Sequence, residues 1–246
     1  MKKAIITTVV ALLSLTVAAQ ETYTTTRSRS TTFFSTERST EEITYGIEGG
    51  INFSTLTGDI DLDHRTGFNI GAVVNIPILE SLYIKSGVRF SQKGAKYDSF
   101  DFEDYEGLDI KSTASYLEIP ILASYRYNFD NSSQLQINVG PYLAFGVGGK
   151  TKIEVTDNSD ANYEYYDGVE FDTFGDHGLL NRFDLGLEFS IGITLANQFY
   201  IGAGYDLGLL NIANDDFFDR LAEEEEAYHD ISIKNGSWVI NVGFTF

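Results

Sequence analysis

From residue 43 to the C-terminus, apolar side chains alternate with small or polar ones. In the stretch 81–91 the large apolar residues share one parity, and the charged and small residues share the other. A period of two residues is typical of a β-strand with one apolar face. The alternation recurs seven more times, which predicts eight strands over about 44–54, 67–77, 81–91, 113–128, 134–148, 182–195, 199–210 and 237–246.

Two further patterns separate a membrane barrel from a water-soluble sandwich. The aromatic residues of the apolar parity collect at the two ends of the strands, as in the aromatic girdles of transmembrane barrels. The predicted connections also alternate: those at 78–80, 129–133 and 196–198 are short, whereas those at 55–66, 94–112, 149–181 and 211–236 are long. We therefore predict an all-β fold, a transmembrane antiparallel up-and-down β-barrel of eight strands over residues 43–246.

Two prolines lie inside the predicted strands. Pro120 and Pro141 cannot donate a ladder hydrogen bond, and central strands rarely contain such residues. We expect a bulge or a kink at each position.

Charged residues within the predicted strands all take the parity opposite to the apolar face, which points into the barrel. A lumen of eight strands is narrow and is usually filled by side chains. We predict that these charges form a buried network in which they satisfy one another; the alternative is a narrow ion or proton path. The predicted network comprises Glu48, Lys85, Arg89, Glu118, Arg126, Asp184, Glu188 and Asp206.

The first 42 residues differ from the rest of the chain. Lys2 and Lys3 precede an apolar run, and Val17-Ala18-Ala19 fits a small-residue cleavage site, so residues 1–19 predict a cleaved signal peptide. Residues 20–42 are rich in Ser, Thr and charge, and we expect a periplasmic linker there. Export and a barrel together predict the outer membrane of a Gram-negative cell, with outer-membrane lipid as a partner.

The chain has a net charge of −19, and the long loops carry most of it. They hold 25 of the 36 acidic residues and 7 of the 17 basic ones. This acidity argues against nucleic acid as a partner, because phosphates would be repelled. The loops are interpreted as a solvated, repulsive surface; capture of divalent cations is the alternative. The stretch 59–63 begins like a calcium loop, but His64 stands where glycine is needed, so no metal site is predicted.

The sequence offers little for catalysis. The chain has no cysteine, and none of the common nucleophile, zinc or phosphate-loop motifs is present. His64, His177 and His229 each stand beside an aspartate, but neighbours in an extended chain point apart. We predict a protein that is not an enzyme and has no catalytic residue and no cofactor.

Five segments resemble the outer-membrane β-barrel domain family, whose members are called porin-family or PorT-like proteins. The resemblance covers residues 43–246 and rests on YLEIPILASYRY (116–127), GPYLA (140–144), FDLGL (183–187), YDLGLLNI (205–212) and the aromatic C-terminus from 238 to 246. It implies an eight-stranded barrel in a Gram-negative outer membrane. Trp238, Phe244 and Phe246 are similar to the terminal signal that the barrel-assembly machinery binds during insertion.

The predicted function is therefore a structural or interaction role in the outer membrane, with a filled lumen and long acidic extracellular loops. Two alternatives stay open. The inward charges and glycines would suit a narrow channel or transport component, and the PorT-like resemblance implies an accessory of protein secretion. The sequence identifies neither an extracellular partner nor a secretion partner.

Overall fold

The computed structural model describes residues 38–58, 62–98, 108–129, 132–155, 168, 170–175, 178–217 and 231–246. The described residues form ten strands: β1 Thr44–Gly58, β2 Asp63–Pro77, β3 Leu82–Asp98, β4 Leu108–Asn128, β5 Gln134–Gly148, β6 Lys150–Val155, β7 Glu170–Asp172, β8 Phe183–Leu195, β9 Phe199–Gly208 and β10 Ile233–Thr245. None of the helical segments in these ranges is long and apolar enough to cross a membrane.

Eight of these strands close into a barrel. Each pairs with its neighbours antiparallel in the order β1-β2-β3-β4-β5-β8-β9-β10, and β10 pairs with β1 from Gly46↔Thr245 to Gly58↔Ile233. Closure leaves no free edge among these eight strands. A barrel in lipid needs such closure, because lipid offers no hydrogen-bond partner to the backbone. The predicted eight-stranded barrel is confirmed.

The two ends of the barrel differ. The turn end carries the short connections together with the first and last residues of the barrel segment. The loop end carries the long connections. Several strands continue further at the loop end than the alternation predicted: β3 runs to Asp98, β4 begins at Leu108 and β10 begins at Ile233. Above the apolar belt the outward residues become polar while inward ones such as Leu56 and Ala95 are apolar, so the pattern of the belt ends although the ladder continues. The predicted loops 55–66, 94–112 and 211–236 were therefore too long.

The predicted loop 149–181 also contains strands. β6 continues β5 after a one-residue register shift and pairs with the start of β4, from Ser112↔Thr151 to Leu108↔Val155. β7 then pairs with β6 through three residues. These two strands form a small sheet extension at the loop end, outside the closed barrel.

The large apolar side chains lie on the outer surface. Ile70, Val242 and Ile47 are 60%, 58% and 58% exposed, and such values would be unfavourable in water but are suited to a hydrocarbon surrounding. Aromatic rings lie at both ends of this belt: Trp238 and Phe145 lie near the loop end, and Phe246 lies at the turn end. The polar parity faces inward.

Of the bulge or kink expected at Pro120 and Pro141, the bulge is absent at both positions. The β3–β4 ladder loses two pairs opposite Pro120, between Ser86↔Ile121 and Arg89↔Glu118, and the register is the same on both sides. The β4–β5 ladder loses two pairs opposite Pro141 in the same way, and its register shift lies elsewhere, at Ser115/Tyr116. Ser86 Oγ donates to the Pro120 carbonyl at 2.7 Å and occupies one acceptor at the gap. The missing N–H of each proline therefore interrupts the ladder of hydrogen bonds, but it does not insert the extra residue of a bulge.

Candidate functional site in the barrel lumen

The structure places all eight of the predicted charged residues in the lumen. Glu118, Asp184 and Asp206 have no exposed surface, and even the most accessible of the eight, Glu48, has a side chain only 15% exposed. A ninth charge, Lys93, lies among them and is fully buried. Sequence analysis missed Lys93 because the predicted strand ended at residue 91, although Lys93 continues the inward parity.

The centre of the lumen is a cluster of five charges. Arg89 Nε lies 2.8 Å from Glu118 Oε2, and its Nη2 lies 3.1 Å from Glu188 and 3.3 Å from Asp206. Lys93 Nζ lies 2.7 Å from Glu118 Oε1 and 3.3 Å from Asp206 Oδ2. Two cations thus hold three carboxylates that β4, β8 and β9 bring from different walls. Buried ions need such multiple partners because isolated burial of a charge is very unfavourable.

Asp184 lies closer to the loop end and has a different environment. Its Oδ2 accepts hydrogen bonds from the Tyr142 hydroxyl at 3.2 Å and from Asn235 Nδ2 at 2.9 Å. Asn235 Nδ2 also donates to the Tyr116 hydroxyl at 3.2 Å. Within the described residues Asp184 has no ion pair within 4 Å, so its partners are neutral.

Towards the turn end the lumen holds two further cations. Lys85 Nζ lies 2.6 Å from Glu48 and 4.3 Å from the centre of the Tyr200 ring. Arg126 stacks on the Tyr83 ring at 3.9 Å and donates to Asn75 Oδ1 at 2.6 Å. Aromatic faces stabilise these cations in addition to their polar partners.

A short segment covers the turn end. Residues 38–43, the N-terminal strap, precede β1; Arg38 forms an antiparallel bridge with Leu79, and Glu41 accepts a hydrogen bond from the Tyr83 hydroxyl. Tyr83 and Arg126 lie at the mouth of the barrel and yet are only 2% and 8% exposed. The strap and the stacked pair therefore close this mouth.

An apolar cluster closes the loop end. It combines inward residues at the upper ends of the strands with side chains from the segments 173–181 and 209–214. The Phe174 ring packs edge-on against Tyr116 at 5.4 Å. The cluster, called the apolar cap below, comprises Leu56, Ala95, Ala114, Tyr116, Tyr142, Ala144, Phe174, Leu180, Ile212, Ala213 and Ile233. Sequence analysis missed it because its loop residues are isolated apolar positions without a period.

Inward glycines make room for aromatic rings. A Cβ on Gly146 would lie 2.6 Å from the Phe174 ring, and one on Gly186 would lie 2.5 Å from the Tyr142 ring. Both distances are shorter than van der Waals contact, so these glycines are required by the packing. The inward glycines at these two positions are covered by rings and leave no open channel.

One small cavity borders the charge cluster. It has a volume of about 20 Å³ and lies beside the ladder gap at Pro120, with Glu48, Lys85, Arg89 and Glu188 in its wall. A water molecule needs about 10–15 Å³, so this space suits a water or two and no larger guest.

Other candidate chemistry is sparse in the described part of the chain. His64 lies exposed on β2, and His177, His229 and most of the stretch 59–63 lie outside the described residues. No group of three or more His, Cys, Asp or Glu in the described ranges could hold a metal ion.

Three solved structures show a low-identity likeness to the chain. The chain resembles Ail, the attachment invasion locus protein of Yersinia pestis, at 16% identity over 84% of this chain and 100% of that chain, with a TM-score of 0.39. It resembles Neisserial surface protein A at 10% identity over 84% and 100%, with a TM-score of 0.42. It resembles OprG of Pseudomonas aeruginosa at 13% identity over 82% and 95%, with a TM-score of 0.37.

No sequence among the curated proteins matches the chain. A family model described as outer membrane protein beta-barrel domain matches residues 19–214, which is well over half of the chain. The protein therefore belongs to the outer membrane β-barrel domain family and is a protein of the outer membrane.

Proposed function

We propose that this protein is a sealed outer-membrane barrel with a structural or interaction role, and that its lumen does not conduct. The observation that supports this proposal is that side chains fill the lumen at three levels: the apolar cap, the central charge cluster and the N-terminal strap. An ion crossing the barrel would have to displace buried aromatic side chains and break ion pairs in turn.

Conductance in planar bilayers tests this proposal. We expect no current above background for the wild-type protein, and none for Arg89→Ala or Glu118→Ala, because the cap and the strap remain. A large-pore porin reconstituted in the same bilayers is the positive control. A steady wild-type current that changes with Arg89→Ala would establish the narrow channel instead.

We further propose that the loop end faces the outside of the cell and the turn end faces the periplasm. Short periplasmic turns and longer external loops are the arrangement of outer-membrane barrels. Protease added to intact cells should cleave only in the long connections. Cleavage at 129–133 or 196–198 under the same conditions would contradict this orientation.

The interaction role rests on the acidic long connections, which carry a net −18 in the sequence-defined loops. Solvated acidic loops keep an exposed surface soluble and attract cationic partners. A pull-down with purified protein, compared with a variant in which the loop acids around 223–226 are neutralised, tests this proposal. Equal recovery of every partner by both proteins would remove the electrostatic part of the interpretation.

Four further proposals come from the sequence. A cleaved signal peptide at 1–19 is tested by the N-terminal sequence of the mature protein, and the linker 20–42 by limited proteolysis. Recognition of Trp238, Phe244 and Phe246 by the barrel-assembly machinery is tested by crosslinking during insertion. The secretion accessory role predicts an altered secretome in a deletion strain.

A further inference from the structure

The pairing of Asp184 with Asn235 leaves two oxygens unexplained. Asn235 Nδ2 donates to Asp184 Oδ2 at 2.9 Å, and the other oxygen of each side chain, Asp184 Oδ1 and Asn235 Oδ1, is buried without a hydrogen-bond partner among the described residues. Asp184 is fully buried and Asn235 is 1% exposed. Leaving a buried acceptor unpaired costs about 1–3 kcal/mol. Two unpaired acceptor oxygens in one pair of side chains therefore suggest a common explanation.

The nearby cations are bound to other carboxylates. Lys93 pairs with Glu118 and Asp206, and Arg89 pairs with Glu118, Glu188 and Asp206. Lys85 pairs with Glu48 further towards the turn end. The lumen therefore holds five carboxylates, and Asp184 is the one whose described partners are all neutral.

We propose that Asp184 and Asn235 form a proton-binding site, in which a proton on Asp184 Oδ1 is donated to Asn235 Oδ1. The existing Asn235 Nδ2 to Asp184 Oδ2 bond then closes a cyclic carboxylic acid–carboxamide pair. One proton satisfies both unpaired oxygens and removes one buried negative charge. The site goes beyond the proposed sealed barrel, since it holds whether or not the lumen conducts.

The hydrogen bonds around the pair fit a protonated carboxyl group. The Tyr142 hydroxyl donates a hydrogen bond to Asp184 Oδ2. In a protonated carboxyl group Oδ2 is the carbonyl oxygen, and it can accept the same hydrogen bond. Tyr116 and Tyr142 also belong to the apolar cap, whose side chains are buried. The titratable and charged groups that surround the pair come from β3, β4, β5 and β9: Lys93, Tyr116, Glu118, Tyr142 and Asp206.

A matched pair of isosteric variants tests the proposal. Asp184→Asn supplies an N–H where the acid supplies an O–H, so the cyclic pair is kept and the urea midpoint of unfolding should stay close to that of the wild type. Glu118→Gln makes the same chemical change at a carboxylate held by Lys93 and Arg89, and its midpoint should fall clearly. The urea midpoint of Asp184→Ala should fall as well, because both Asn235 and Tyr142 lose their hydrogen-bond partner.

Infrared spectroscopy of the folded protein at neutral pH provides the independent measurement. The wild type should show the carbonyl stretch of a protonated carboxyl group, shifted by H/D exchange, and Asp184→Asn should lose that band while Glu118→Gln retains it. Absence of the band in the wild type would overturn the proposal and favour an ionised Asp184 solvated by water. A loss of stability in Asp184→Asn as large as that in Glu118→Gln would overturn it too.

Discussion

Replacing Lys93 by methionine should destabilise the barrel more than any surface charge change. Methionine is close to lysine in length and can keep the contact with the Tyr142 ring, over which Lys93 Nζ lies at 4.6 Å. The substitution therefore removes the charge and little else. Among the described residues it leaves Arg89 as the one cation within 4 Å of the three carboxylates of the central cluster, Glu118, Glu188 and Asp206.

The magnitude follows from burial and geometry. Lys93 and Glu118 are both fully buried and 2.7 Å apart, and removing one partner of a buried pair costs about 3–5 kcal/mol. With a urea dependence of about 2 kcal/mol per M, the unfolding midpoint should fall by about 1.5 M or more. The direct measurement is a urea titration in lipid vesicles, followed by the heat-modifiable mobility of the folded barrel.

Lys111→Met is the matched control. Lys111 and Glu154 lie 2.6 Å apart, nearly the distance of the buried pair, but their side chains are 39% and 49% exposed. Exposed ion pairs contribute about 0–1 kcal/mol, so this midpoint should hardly move. If Lys93→Met loses no more stability than Lys111→Met, then the lumen is solvated enough to screen its charges, and the argument from burial is wrong.

Three further predictions concern the ends of the barrel. Deleting Phe244–Phe246 should prevent insertion, because Phe246 pairs with Tyr45 and β10 closes the barrel against β1; a truncated chain that reaches the membrane at normal levels and shifts on heating would contradict this. Phe174→Ala should cost about 3–5 kcal/mol through the cavity it leaves in the apolar cap, whereas Phe68→Ala on the lipid face should cost less; equal urea midpoints would contradict it. Hydrogen bonds from Lys150 and Lys152 lower the pKa of Glu170 to about 2, so the ion pairs of the sheet extension should persist at pH 4 and be lost as the pH falls through 2; a carboxyl carbon that titrates by NMR near 4.5 would refute this.

The sequence was most informative where lipid lies on one side of the strand and the lumen on the other. There each residue has one of two environments, so a period of two predicts both the strand and the direction of every side chain, including the inward direction of Glu118 and Arg89. Above the belt the outward face meets water and some inward residues, such as Leu56 and Ala95, are apolar, so the same rule no longer applies. The upper strand segments, and with them Lys93, were therefore missed.

Contacts across the lumen could not be predicted in the same way. Parity places Asp184 on the inside, but Asn235 fell in the predicted loop 211–236. Their contact depends on register, on strand tilt and on glycines such as Gly186 that leave room for neighbouring side chains. The apolar cap depends on where Phe174 and Leu180 fold back, and neither lies in a periodic segment. At Pro120 the local rule predicted a bulge or a kink, and the structure has no bulge because the neighbouring pairs keep the register.

The long β3–β4 pair has an electrostatic consequence for the membrane surface. From Phe90 in the apolar belt to Asp98, β3 advances eight residues, or about 26 Å at about 3.3 Å per residue. With a strand tilt of about 40°, the tip stands about 20 Å above the level of Phe90. The headgroup region is about 5–7 Å deep on each side of the hydrocarbon core, so the tip stands about 13 Å or more above it. This distance still exceeds the Debye length of about 8 Å at physiological salt. A charge carried at the tip of this strand pair is therefore largely screened from the lipid phosphates.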